Sequence, residues 1–223
     1  MNKKLVDEII QWDISNWSKA LLFWDKYIKN PTSKKAAAFG EVNGGLSLWL
    51  LKNDFYVECS DIKDLKNAKE LHIKYNYLNQ VKYSKQDITN INFDDNTFDI
   101  VIFKSVLGSL GTINLQQKAI NELYRILKPG GYLLFAENLK GSYLHQIVRK
   151  KFIKWGRKWK YPKINELEKM VDKFSYVNKK TYGVISLFGR NEKQRAYLSF
   201  FDKILTIITP KRWRYILFAA CKK

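Results

Sequence analysis

Apolar residues recur at helical spacing from the start of the chain. Leu5, Ile9, Trp12, Leu21, Trp24 and Ile28 predict helix over residues 3–30, with a break at 13–17 and a stop at Asn30-Pro31-Thr32. The period then changes. Short runs suited to strands fall at 35–40, 55–59, 81–84, 98–103 and 132–136, separated by amphipathic helical stretches at 46–52, 64–75 and 116–127. Residues 98–103 are apolar apart from Asp99, the pattern of a strand buried on both faces of a parallel sheet. Past a basic stretch at 140–163 come a helix at 164–174, a strand at 177–187, a helix at 191–208 and a strand at 213–221. This alternation predicts an α/β fold: an open, mostly parallel sheet covered by helices on both faces, with a C-terminal strand pair closing one edge.

The length of 223 residues suits one such domain. No apolar run reaches the roughly 18–20 residues that span a bilayer, and Met1-Asn2-Lys3-Lys4 opens no signal-peptide pattern. Cys59 and Cys221 fall in expected strands without metal or redox spacing, so buried thiols and no metal site are expected. A cytoplasmic location follows, at most peripheral to the inner face of a membrane. The net charge of +19 is unevenly spread. Residues 1–137 carry 18 Lys/Arg against 16 Asp/Glu, whereas residues 138–223 carry 22 against 5, a net of +17. That excess points to an anionic partner or substrate of the C-terminal part.

Leu123-Tyr124-Arg125-Ile126-Leu127 reads as the end of a helix running to Lys128, with Pro129-Gly130-Gly131 as the turn and a buried strand immediately after it. Proline forbids continuation of the helix, and the glycines admit the positive φ that reverses the backbone. This unit resembles the turn before the fifth strand of class I S-adenosylmethionine (SAM)-dependent methyltransferases. By motif the resemblance covers residues 36–137, and by element order the whole chain. It implies a Rossmann-like fold with a seven-stranded, mostly parallel sheet. Residues 1–34 would be an N-terminal helical cap, and 35–223 the methyltransferase domain, with a basic substrate-facing insertion at about 139–163. SAM would be the cofactor and S-adenosylhomocysteine the product.

The glycine loop Gly40-Glu41-Val42-Asn43-Gly44-Gly45 joins the first strand to its helix, where backbone approaches a ligand closely. It resembles the family's motif I but departs twice: Ala38 stands at the acidic position and Val42 at the middle glycine. Gly40, Glu41, Asn43 and Gly44 are the cofactor candidates there, Glu41 or Asn43 compensating for the departures. Asp61 ends the second strand, where a carboxylate accepts both ribose hydroxyls, and Ile62 follows it. At the end of the third strand, Asp87 would read the adenine amine and Ile88 lend its backbone N–H. Lys104, after the fourth strand, stands where the family faces the methyl group. It is read as a cofactor neighbour, with an anionic substrate or a helix cap also open. The Pro-Pro-Tyr-type motif of DNA amino-methyltransferases is absent.

Acceptor chemistry is sought beyond the fifth strand. Glu137 and His145 are the candidate general bases, needed where the acceptor is a poorly acidic alcohol. Asn138, Arg149, Arg190 and Arg195 are the candidate substrate contacts. Residues 149–161 interleave bases with Phe152, Trp155 and Trp159 on one helical face, which suits a phosphate clamp, a segment lying on anionic lipid, or a nucleic-acid groove. The phrases Asn43-Gly44-Gly45-Leu46-Ser47-Leu48-Trp49-Leu50, Phe103-Lys104-Ser105-Val106-Leu107-Gly108 and Phe135-Ala136-Glu137-Asn138 are similar to methyltransferases of bacterial surface-polysaccharide and O-antigen synthesis. That resemblance implies O-methylation of a sugar or glycan intermediate, a phosphate-bearing acceptor suiting the basic tail. An RNA methyltransferase, or a SAM- or nucleic-acid-binding protein without catalysis, remains the alternative.

Overall fold

The structure, a computed structural model, describes residues 1–29, 34–152 and 159–223. The expected stop at residues 30–32 and Trp155 lie outside them. Three helices open the chain: α1 (Lys3–Ile10), α2 (Ile14–Trp17) and α3 (Lys19–Trp24). Between α1 and α2, Gln11 and Asp13 adopt positive φ of 68° and 45°, which breaks the helix where the pattern predicted. Leu5, Ile9, Trp17, Leu21 and Trp24 join the apolar cluster that covers one face of the sheet, so the cap shares the domain's core.

Among the described residues the sheet has seven strands: β1 (Lys35–Phe39), β2 (Tyr56–Asp61), β3 (Val81–Lys85), β4 (Phe98–Lys104), β5 (Leu127–Asn138), β6 (Tyr176–Tyr182) and β7 (Ile216–Lys222). Their order is β3-β2-β1-β4-β5-β7-β6. β1 to β5 pair in parallel, and β7 lies antiparallel between β5 and β6. The strand order reverses between β1 and β4, which opens a crevice at their C-terminal ends, where such sheets bind ligands. The connecting helices are α4 (Gly45–Leu51), α5 (Lys66–Lys74), α6 (Ile113–Ile126), α7 (Tyr143–Phe152), α8 (Ile164–Met170) and α9 (Glu192–Ile208).

The Pro129-Gly130-Gly131 turn differs from its expected form. The helix stops at Ile126, not Lys128, and the turn lies inside β5. Leu127 pairs with Phe98 and Tyr132 with Ile100, so residues 128–131 bulge opposite Asp99 alone. The last carbonyls of α6 are already taken: Asn96 and Thr97 donate their N–H groups to Arg125 and Ile126, and the Lys223 ammonium reaches the Tyr124, Arg125 and Leu127 carbonyls. Gly130 (φ 81°) makes the bulge, and a Cβ on Gly131 would sit 2.9 Å from the Asp99 carbonyl oxygen.

β6 is also shorter than expected. Gly183 ends it with a φ of 78°, and glycine is required there because a Cβ would lie 2.4 Å from the Tyr215 ring. The turn that follows is held by Asp202 of α9. That carboxylate accepts from the Val184, Ile185 and Ser186 N–H groups and the Ser186 hydroxyl. The buried residues of α9 are accordingly polar, Ser199 and Asp202, whereas α6 buries Ala119, Ile120, Leu123 and Ile126.

Candidate functional site

A cavity of about 330 Å³ lies across the C-terminal ends of β1, β2 and β4. Gly40, Asp61, Ile62, Asp87 and Ile88 line it together, joined by Val42, Ser105, Val106 and Trp159. Gly40 has φ 73°, and a Cβ there would stand 2.3 Å from a Val106 methyl, so glycine alone fits the rim. One Asp61 oxygen accepts the Lys63 N–H at 2.8 Å. Asp87 accepts both the backbone N–H and the hydroxyl of Thr89, each at 2.8 Å, which fixes its turn at the cavity mouth. Ile62, Ile88 and Trp159 supply apolar wall for a flat ring. Trp159 was read from the sequence as part of a helical face, and it instead crosses the end of β4, where Lys160 donates its N–H to the Gly108 carbonyl. Ser105 (φ 58°) holds a positive backbone angle in the same wall.

Glu41, Asn43, Gly44 and Lys104 stand outside this wall, and each is engaged elsewhere: Glu41 by the first turn of α4, the other three by segments distant in sequence. Glu41 is buried and accepts the Ser47 N–H and hydroxyl, so it caps α4 itself; burial pushes its carboxyl up. Asn43 donates to the Gln11 side chain and accepts from Asn67, tying the cap to α5. The Gly44 carbonyl bonds His72 Nε2, and His72 Nδ1 bonds the Tyr83 hydroxyl, which makes His72 a buried brace for the loop. The half-buried Lys104 ammonium donates to the Ile10 carbonyl and lies 5.4 Å from the Trp17 ring centroid; desolvation lowers its pKa.

Glu137 is fully buried at the end of β5. Its two oxygens accept the Leu107 and Asn138 N–H groups, and burial pushes its pKa up to about 7. Asn138 donates to the Ser105 hydroxyl and accepts weakly from Arg149, so it links β5 to the cavity wall. Arg149 is buried rather than facing a cleft. It donates to the Leu139 carbonyl at 2.6 Å, and its guanidinium stacks 4.0 Å from the Tyr161 ring centroid. His145 is buried with both ring nitrogens bonded: Nδ1 accepts from the Ser142 N–H, and Nε2 donates to the Val184 carbonyl at 2.6 Å. Burial lowers its pKa to about 4. A histidine so placed is a neutral structural brace, and a weak base.

Arg190 and Arg195 line a second cavity, of about 600 Å³, with Trp12, Val148, Phe152 and Phe188. Arg195 pairs with Glu192 and stacks 5.0 Å from the Trp12 ring centroid. Next to Trp12 is Asp13, which sequence reasoning treated only as a helix break. Its carboxylate is wholly buried, accepts the Tyr215 hydroxyl through Oδ2, and leaves Oδ1 without a partner. Burial first, then the nearby Glu192 and Asp202 charges, raises its pKa to about 7, against the Tyr215 bond. The signal available in the sequence was an acid directly after Trp12, with Ile14 and Trp17 close behind it.

The profile of a family described as a methyltransferase domain matches residues 38–135. The ubiquinone/menaquinone biosynthesis C-methyltransferase UbiE of Rickettsia felis is 32% identical over 117 residues, which are 48% of this chain and 46% of the relative. The chain thus matches about half the length of that relative. Phosphoethanolamine N-methyltransferase 2 of Haemonchus contortus, solved with SAM, superposes with a TM-score of 0.67 at 18% identity, over 97% of this chain and 56% of the other. The [4+2]-cyclase SpnF superposes as well, with a TM-score of 0.62 at 15% identity, over 92% of this chain and 80% of the other. A cyclase on the same scaffold means that activity must be argued from the site. The strand order, the crevice and the matched central domain give this chain the Rossmann-like fold of the class I SAM-dependent methyltransferases.

Proposed function

We propose that the protein is a SAM-dependent methyltransferase that methylates a hydroxyl of a phosphate-bearing sugar or glycan intermediate. One observation carries the cofactor half: Gly40, Asp61, Ile62, Asp87 and Ile88, far apart in sequence, line a single cavity. Its apolar walls suit an adenine ring, the Gly40 backbone is exposed at the rim, and the Asp61 carboxylate would accept ribose hydroxyls. SAM, when bound, supplies a methyl group already activated by positive sulfur. Alignment and exclusion of water then supply most of the remaining catalysis.

The acceptor half rests on the second cavity. Arg190 and Arg195 suit a phosphate, and Trp12, Phe152 and Phe188 suit the faces of a sugar ring. Asp13 takes the role of general base. It directly follows Trp12, which lines the second cavity, and it keeps one carboxylate oxygen without a partner. A carboxylate with a pKa near 7 and a free oxygen is matched to accepting an alcohol proton at neutral pH. The UbiE relatives favour a second reading, C-methylation of an aromatic ring, which the same apolar lining would accommodate.

Calorimetry and transfer of labelled methyl groups test both halves. The full chain should bind SAM, and Asp61→Ala should weaken that binding at least tenfold without shifting the melting temperature. Asp13→Asn should keep SAM affinity and lose roughly 10²–10⁴ in kcat, the usual span of general-base catalysis. Equal SAM binding by Asp61→Ala would refute the cofactor assignment. Label entering RNA or a prenylated phenol, and no nucleotide sugar or glycan phosphate, would refute the acceptor class.

A further inference from the structure

Two helices of the C-terminal part are turned inside out. The buried residues of α9 are Ser199 and Asp202, and those of α7 are His145 and Arg149. Their apolar residues face outward. On α9, Tyr197, Phe200, Phe201, Ile204, Ile207 and Ile208 are exposed, Ile207 by 80%. These positions step by three and four residues, so they form one stripe opposite the buried polar pair. On α7, Tyr143, Leu144, Ile147 and Phe152 are exposed in the same way.

The two helices flank one rim. Phe152 at the end of α7 shares a cavity wall with Arg190 and Arg195, at the start of α9. Tyr143 at the start of α7 lines another with Arg212 and Trp213, just past the end of α9. Trp213 is itself 47% exposed. Cations border the apolar surface: Lys150 and Lys151 on α7, Lys193 and Lys203 on α9, then Lys211 and Arg212, all exposed. α7 carries no carboxylate; on α9 Asp202 is buried, and Glu192, whose side chain is 38% exposed, is paired with Arg195.

We propose that this rim docks on the surface of an anionic lipid bilayer, with the α7 and α9 stripes entering the headgroup boundary and the flanking Lys and Arg side chains meeting lipid phosphates. Charge complementarity selects this occupant. A second copy of the chain would bring a like-charged border against its own, whereas an anionic membrane neutralises it. None of the described helices is long and apolar enough to cross a membrane, so the contact is peripheral. The proposal names no acceptor, although Phe152 borders both this rim and the second cavity, and it extends to α9 the lipid contact that was one of three readings of residues 149–161.

Sedimentation with vesicles, which reads lipid binding without any methyl transfer, tests it. The full chain should sediment with vesicles of phosphatidylglycerol and phosphatidylcholine (30:70) and not with phosphatidylcholine alone, and added salt should weaken the binding. The double variant Phe200→Asp/Ile207→Asp should bind at least tenfold more weakly, and Lys203→Glu/Arg212→Glu should lose most of the preference for anionic lipid. Both replace exposed side chains, so circular dichroism and the melting temperature should match wild type. Analytical ultracentrifugation should find a monomer. Failure to sediment with anionic vesicles, undiminished binding by the apolar double variant, or a dimer that this variant dissociates would each overturn the proposal.

Discussion

Helices α6 and α9 are both amphipathic and both pack on the sheet, yet they face opposite ways. α6 serves the near-neutral half and buries Ala119, Ile120, Leu123 and Ile126. α9 serves the basic half, buries Ser199 and Asp202, and leaves its isoleucines and phenylalanines in solvent. The first is held by apolar contact and the second by a polar seam. That seam is a network: Asn16 donates to Asp202 and the Tyr215 hydroxyl, Ser199 donates to Asn16, and the Tyr215 hydroxyl donates to Asp13. A helix attached through polar groups can keep its apolar face available to something outside the molecule.

The sharpest break of this contrast is Asp202→Ala. It strands the buried Ser186 N–H and hydroxyl and the half-buried Val184 and Ile185 N–H groups. Each unmet buried donor costs about 1–3 kcal/mol, so the two at Ser186 predict a loss of about 2–6 kcal/mol in urea denaturation, with α9 the first element to lose amide protection. On the other side of the comparison, Leu123→Ala should cost about 2–5 kcal/mol by leaving a cavity under α6. If Leu123→Ala melted α9 first, or Asp202→Ala cost less than about 1 kcal/mol, the division into two kinds of attachment would be wrong.

The same division separates what the sequence could convey from what it could not. The β-α-β repeat fixes which residues end the parallel strands, so Gly40, Asp61, Ile62, Asp87 and Ile88 were legible as one group, and the structure puts them at one cavity. Asn43, Lys104 and His145 were not, because their partners come from remote segments: Gln11 for Asn43, Ile10 for Lys104, Val184 for His145. Glu41 shows that even a partner six residues away, Ser47, is missed when the loop's path is unknown. Periodicity likewise announced α9 as amphipathic. It carries no sign, though: a stripe of isoleucines reads the same whether it faces a core or a lipid surface. The sign came from Asp202 and its five donors.

Asp13 gives a smaller, pH-resolved effect on the polar seam. Its folded pKa, about 7, lies above the 3.8 of an ordinary aspartate. The stability this group contributes is therefore fully present below about pH 4 and is lost as pH rises through 7, where a buried charge must be tolerated. Asp13→Asn retains an acceptor for the Tyr215 hydroxyl and removes that charge. The variant should be more stable than wild type at pH 8, by roughly 2–4 kcal/mol, and nearly equal to it at pH 4. A gain at pH 8 together with lost turnover would mark Asp13 as a group kept at the expense of stability. A variant equally stable at both pH values would place the carboxylate in water, and would remove the reason for assigning it a proton-transfer role. His145 has the opposite sign: its stabilising contribution is present above about pH 6.5 and declines as pH falls through 4.

The smallest expected effect is the most discriminating for α9. Ile204→Ser removes an apolar side chain that is 59% exposed and makes no claim on the core. In solution it should shift the unfolding free energy by less than about 0.5 kcal/mol, as surface substitutions generally do, while Leu123→Ala on α6 costs several times more. A core reading of the stripe requires the reverse, because a buried isoleucine cannot be exchanged for serine without losing most of its roughly 1.5–3 kcal/mol of burial. The comparison should also depend on lipid. With anionic vesicles present, any ligand that binds only the folded state raises its apparent stability, so wild type should gain more in melting temperature than Ile204→Ser does. Equal gains would mean that charge alone holds the protein to lipid and that the exposed stripe belongs to another contact; a loss above about 1 kcal/mol without lipid would mean that α9 is covered in the free protein and that its polar seam is not its main attachment.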